Sequence, residues 1–197
     1  AFASCKTNHK GDFFTISVDS AEKTPLLLSE IADHVKAIEL EMTENSLINR
    51  VRGVLYTGEH IIIDGVFTIM LFDKTGKFIR HIGSVGQGPG EFTGTSAMTL
   101  DCKNKHILVG AAGGKMICYD FDGNLVKESP SAYYRGVRYL NIIDNKRLAL
   151  AEIIVKSDGE KMNQTFLYTI DDNLLKSDSL EVRKIPHLGI WNNIYND

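Results

Sequence analysis

Tyr133, Tyr134, Arg135, Arg138 and Tyr139 form the densest aromatic and basic cluster in the 197-residue chain. Arg and Tyr are enriched at recognition sites, so these side chains could grip an anionic or sugar ligand. Rings also dominate core packing, and a linker whose rings pack on the next sheet is the plainer reading of the same residues. His60 and His106 open two apolar runs at matching places, and two imidazoles could contribute to a metal site. The next such run carries Arg147 there, and no carboxylate joins the pair at fixed spacing, so exposed strand-start histidines fit better. Asp120-Phe121-Asp122-Gly123 has the acids of a calcium loop. Its first ligand would fall on Cys118 and its closing Glu on Ser129, which leaves turn chemistry as the explanation. The stretch Gly86-Gln87-Gly88-Pro89-Gly90-Glu91-Phe92 lacks the Gly-Lys-Ser/Thr ending of a phosphate loop, and no helical pattern follows it. No Gly-x-Ser-x-Gly elbow occurs. The residues thus assign no catalytic group, no metal and no cofactor.

Composition narrows the classes further. With 22 Lys and Arg against 25 Asp and Glu, the net charge of −3 gives none of the basic surplus that a nucleic-acid binder shows. No apolar run is long enough to cross a bilayer as a helix. Cys102 and Cys118 sit in or beside strand-like runs and read as small buried hydrophobes.

The elements that must position these residues are short strands. Residues 13–19 alternate apolar and polar side chains, and residues 36–42 do so at Ile38, Leu40 and Met42; both read as strands, with a helix over 26–42 as the competing reading. From residue 48 the chain repeats, which decides the fold class. The turn Phe72-Asp73-Lys74-Thr75-Gly76 returns as Tyr119-Asp120-Phe121-Asp122-Gly123, a separation of 123 − 76 = 47 residues. A weaker copy is Thr169-Ile170-Asp171-Asp172-Asn173, with Asn in place of Gly, 173 − 123 = 50 residues on. Four strands are expected per unit: 51–57, 59–64, 68–74 and 77–83; then 97–101, 105–111, 115–121 and 124–128; then 139–144, 147–152, 165–170 and 174–179. Residues 155–163 read as a polar surface insertion, and 83–92 as irregular chain punctuated by Gly and Pro. Four strands every 40–50 residues is roughly the blade period of a β-propeller. The expected class is all-β, with four-stranded antiparallel blades at about 48–92, 93–136 and 137–185 inside a partial propeller domain of 13–197.

Phe72 to Phe78, Ile82-Gly83 and the Gly86 to Phe92 motif resemble the six-bladed propellers of the NHL and TolB-like group, closest to propeller lipoproteins of Bacteroides-type bacteria. Glu44-Asn45-Ser46-Leu47-Ile48 and Ser4-Cys5 support the resemblance. Phe2-Ala3-Ser4-Cys5 is similar to a lipobox, in which Cys5 would carry the lipid, with residues 1–12 a signal remnant and polar tether.

The resemblance implies a cell-envelope protein, anchored by lipid at the outer membrane or on the periplasmic side. It would serve as a binding or scaffold module for a peptide, glycan or protein, with no nucleic acid and with membrane contact through the anchor. Tyr133, Tyr134, Arg135 and Arg138 would be its ligand residues at a channel mouth. A propeller enzyme, a metal-assisted hydrolase or lyase, is the alternative. Three blades fall short of a six-blade ring, so the chain reads as a fragment with 187–197 opening a fourth blade; a complete chain would close by self-association, since open edges invite pairing.

Overall fold

Strand-forming residues dominate 53–186, and a computed structural model arranges them as three four-stranded antiparallel sheets. The structure describes residues 27–143, 145–157 and 160–186. The chain divides into a unit of residues 1–37 and a unit of residues 38–197. In the first, the described part holds a short 3-10 turn, Leu28–Glu30. The strand expected at 13–19 and the lipobox at Cys5 lie outside the described residues.

In the second unit the first sheet runs β1 (Gly53–Tyr56), β2 (His60–Asp64), β3 (Ile69–Asp73) and β4 (Phe78–His81) in sequence order. A two-residue parallel pair follows, β5 (Ser84–Val85) with β6 (Glu91–Phe92). The second sheet holds β7 (Thr95–Asp101), β8 (His106–Ala111), β9 (Lys115–Asp120) and β10 (Leu125–Glu128). The third holds β11 (Val137–Ile143), β12 (Lys146–Ser157), β13 (Glu160–Ile170) and β14 (Lys176–Pro186). Runs such as Ile61-Ile62-Ile63 are apolar throughout because both faces of a blade meet protein. Ile62, Ile69 and Leu71 of the first sheet pack with Ile107, Val109 and Ile117 of the second. Leu108, Met116 and Cys118 on the other face pack with Ala149, Ala151, Tyr168 and Ile170 of the third. The sheets are therefore stacked blades, a partial β-propeller.

The repeated turn is an aspartate device. Asp73 Oδ1 accepts from the Thr75 and Lys77 amides at 2.8 and 3.0 Å, and Gly76 takes the left-handed position. Asp120 Oδ1 accepts from the Asn124 amide at 2.8 Å, with Gly123 left-handed. In the third blade Asp171 Oδ1 accepts from Asn173 and Leu175, and the left-handed residue is Leu174, φ 59°. This corrects the sequence alignment. The aspartates set the register, 171 − 120 = 51 residues apart, and Asn173 does not replace Gly.

Other expectations need correction too, and the first is Cys102, which is exposed in the turn after β7 while Cys118 is buried as expected. Residues 155–163 are no insertion: β12 and β13 pair without a break from Arg147↔Ile170 to Ser157↔Glu160. Backbone ladders need no apolar side chains, so polarity hid the strands. Residues 36–42 form no strand. Ile38, Leu40 and Ile48 do pack on Ile61, Ile63, Met70 and Phe72, but the backbone reaches the blade through one turn, the Glu41 amide donating to the Gly76 carbonyl at 2.8 Å. Lastly, the glycine-rich link is irregular only at Gly83 and over 86–90: the rest pairs as β5 and β6, and within it the Glu91 carboxylate accepts from the Gly88 amide at 2.8 Å.

Candidate functional site

Strands β1, β7 and β11 open their blades at Gly53, Thr95 and Val137, each 42 residues after the last (95 − 53 = 137 − 95 = 42). In the second blade Thr95 faces Ala111 and Ala97 faces Gly110, so Ser96 is an extra residue. In the third, Val137 faces Ala151 and Tyr139 faces Leu150, so Arg138 is extra in the same place. A bulged residue leaves the ladder and its side chain is re-aimed. The first blade has no bulge here, Gly53 facing Asp64 and Val54 facing Ile63. There a charged residue, Arg52, stands just ahead of the strand.

These three strand starts and the β8–β9 turn surround a cavity of about 420 Å³. Arg52, Thr95, Ser96, Tyr134, Gly136, Val137 and Arg138 line it, with Ala111-Ala112-Gly113-Gly114 as a wall without long side chains. Two cations and no acid stand among these lining residues.

A buried aspartate positions one of the cations. Asp64 Oδ1 accepts from the Val66 amide at 2.9 Å and from the Thr95 hydroxyl at 2.5 Å. With its proton committed to Asp64, the Thr95 oxygen accepts from Arg52 Nη1 at 3.1 Å. The Arg52 amide donates to the Asp64 carbonyl at 2.8 Å, so both ends of Arg52 refer to one residue. Val66 holds φ 75°, an outlier for a β-branched residue, and Asp64 and the Thr95 amide, which donates to its carbonyl at 2.7 Å, fix it there.

The sequence cluster divides between core and cavity. Tyr134 is buried between the second and third blades; its hydroxyl donates to the Leu174 carbonyl at 3.1 Å, and burial pushes its phenol up. Tyr133 is half-buried with its ring edge-on to Tyr134 at 5.0 Å. Lys176 Nζ lies over Tyr133, Tyr134 and Tyr168, 4.1 Å from the Tyr168 ring centre, and burial lowers its pKa. Arg135 is exposed and does not line the cavity. Arg138 does, its side chain 62% exposed and its Nε 3.9 Å from Glu152. Arg52 and Ser96 escaped the sequence reading. Aligning the blades on their first strands, 42 residues apart, places Ser96 opposite Arg138, whereas Arg52 falls opposite Gly94 and Gly136 and has no counterpart. His60 meets the Phe121 ring edge-on at 5.4 Å, and among the described residues no group of three or more His, Cys, Asp or Glu is gathered as for a metal.

The family described as Domain of unknown function (DUF4934) matches residues 13–194. The chain belongs to this family. Among solved structures, it is similar to a Bacteroides fragilis protein provisionally described as exported, at 19% identity and a TM-score of 0.59, over 73% of this chain and 40% of that one. It is also similar to the Pan2 WD40 domain of Neurospora crassa, at 17% identity and a TM-score of 0.49, over 66% of this chain and 36% of that one. The Cps50 (Swd1) β-propeller domain of Myceliophteria thermophila matches at 13% identity and a TM-score of 0.41, over 68% of this chain and 56% of that one. The DUF4934 chain thus spans well under two thirds of each of these structures. No curated protein matches it.

Proposed function

We propose that this chain is part of an extracytoplasmic propeller that binds a protein or peptide partner at the mouth of its blade stack. The observation that carries the reading is the cavity where Arg52, Ser96 and Arg138 converge from three successive blades. Rigid strand ends hold the three side chains, and a pocket with a few convergent polar groups is the default place for a ligand. The export description of the Bacteroides fragilis structure and the lipobox-like Ser4-Cys5 support a place in the cell envelope, with a lipid on Cys5 and a ring of six blades as the finer parts of the proposal.

A photo-crosslinking residue at Ser96 in the full-length protein, expressed in its own cell, tests the reading. A discrete adduct at position 96, absent from a matched probe at Asp122 in the β9–β10 turn, is expected. Equal labelling at both positions would count against a mouth site. Mass spectrometry of the mature protein should find acyl chains on Cys5; a free thiol there would remove the anchor from the proposal.

A further inference from the structure

Resting on that mouth site, we infer that its ligand group is a carboxylate, presented by an acidic segment of peptide. Arg52 and Arg138 line the cavity, none of its lining residues is acidic, and the acids beside them are a buried Asp64 and a Glu152 that forms a loose, solvent-exposed ion pair. Asp64 is buried beneath Thr95 and the Val66 amide, and Glu152 lies 3.9 Å from Arg138 Nε, beyond hydrogen-bond reach. Guanidinium forks bind carboxylates through paired N–H donors, which gives both strength and geometry.

Positioning distinguishes these two cations from ordinary surface arginines. Arg52 is held at the guanidinium by Thr95, whose own proton is fixed by Asp64, and Arg138 is lifted from its ladder by the bulge. The wall between them accommodates a chain. A Cβ placed on Gly113 would meet nothing within 4 Å, so the space over that turn is open. At about 420 Å³ the cavity is at the small end of ligand pockets, which run from roughly 300 to 1,000 Å³, and suits a short segment better than a folded surface. No lining side chain offers a ring face for a sugar, because Tyr134 is buried with its hydroxyl committed to Leu174. A peptide acid fits this wall better than a uronate.

The experiment uses the full-length protein and three fluorescent probes: end-blocked tetraglutamate, end-blocked tetraglutamine and tetragalacturonate. Tetraglutamate should bind with an affinity that falls as salt rises, and tetraglutamine should not. Arg52→Gln and Arg138→Gln should each weaken binding roughly tenfold, the scale of one charge-assisted hydrogen bond. Arg80→Gln, whose parent pairs with Asp122 at 3.3 Å, should leave it unchanged. Arg138→Lys keeps the charge without the fork and should recover part of the loss, with thermal unfolding as the check that each variant is folded. Equal binding of tetraglutamate and tetraglutamine, no binding of either, tighter binding of tetragalacturonate, or an equal effect of Arg80→Gln would overturn the inference. Any of these results alongside a site-specific adduct at Ser96 would leave the mouth site standing with a different ligand.

Discussion

Arg138 and Arg147 stand at opposite ends of one hairpin, β11–β12, and their surroundings differ in kind. Arg147 is 16% exposed, with Nη2 3.1 Å from Asp101 of the second blade and Nη1 2.6 Å from Asp172 in the turn of the third. Asp101 also accepts from the Asn104 side chain at 2.9 Å, and Lys127 of the second blade reaches the Asp172 carbonyl, so this end of the seam is closed by matched charges. Arg138 is 62% exposed and forms only a loose ion pair, 3.9 Å from a Glu152 that is itself 55% exposed. One guanidinium joins two blades; the other is presented to a cavity. An arginine whose donors are tightly matched contributes to the fold, and one held by a single loose pair keeps donors to offer a ligand.

The strongest way to break this comparison is to delete each head. Arg147→Ala should cost about 3 kcal/mol in chemical denaturation, because it strands a nearly buried Asp101, whereas Arg138→Ala should cost less than about 0.5 kcal/mol. Equal losses would erase the distinction. Tyr134→Phe comes next: it leaves the buried Leu174 carbonyl without its donor and should cost about 1–2 kcal/mol, with the Arg52 and Arg138 end unaffected in any binding assay.

A pH titration sharpens the contrast at smaller scale. Burial pushes the Asp101 carboxyl up, but the Asn104 hydrogen bonds and the Arg147 pair outweigh it and hold the pKa below the ordinary value of 3.8. A depressed folded pKa gives stability that is complete above the unfolded value and is lost as pH falls through the folded one. Unfolding followed below about pH 4 should therefore show a loss that is reduced in Arg147→Ala. Smallest of all, Gly113→Asn keeps a residue that tolerates the left-handed region, φ 86°, and should change stability by about 1 kcal/mol or less while narrowing the cavity. Unchanged tetraglutamate affinity in that variant would argue that the ligand does not cross the turn.

How much of this was legible in the sequence follows from which interactions leave a pattern. Asp73-x-x-Gly76 and Asp120-x-x-Gly123 announce themselves because one side chain and one left-handed residue make the turn. The third turn hid its register because buried Leu174 takes the left-handed place, stabilised by its contacts in the core between the second and third blades. The extensions of β12 and β13 hid because a ladder of backbone bonds is indifferent to Lys156 or Glu160. At the mouth, Arg138 stood out through its neighbours Tyr133 and Tyr134, which turned out to serve the core between blades. Arg52 and Ser96 gave no local signal, since a bulge and an approach from another blade exist only after pairing.

Arginine-selective dicarbonyl labelling of the full-length folded protein, mapped by peptide mass spectrometry, tests the contrast most directly. Arg138 and Arg52 should be modified early, and Arg147 should stay unmodified until the protein unfolds. Modification of Arg147 at the same rate as Arg138, with the fold intact, would contradict the account.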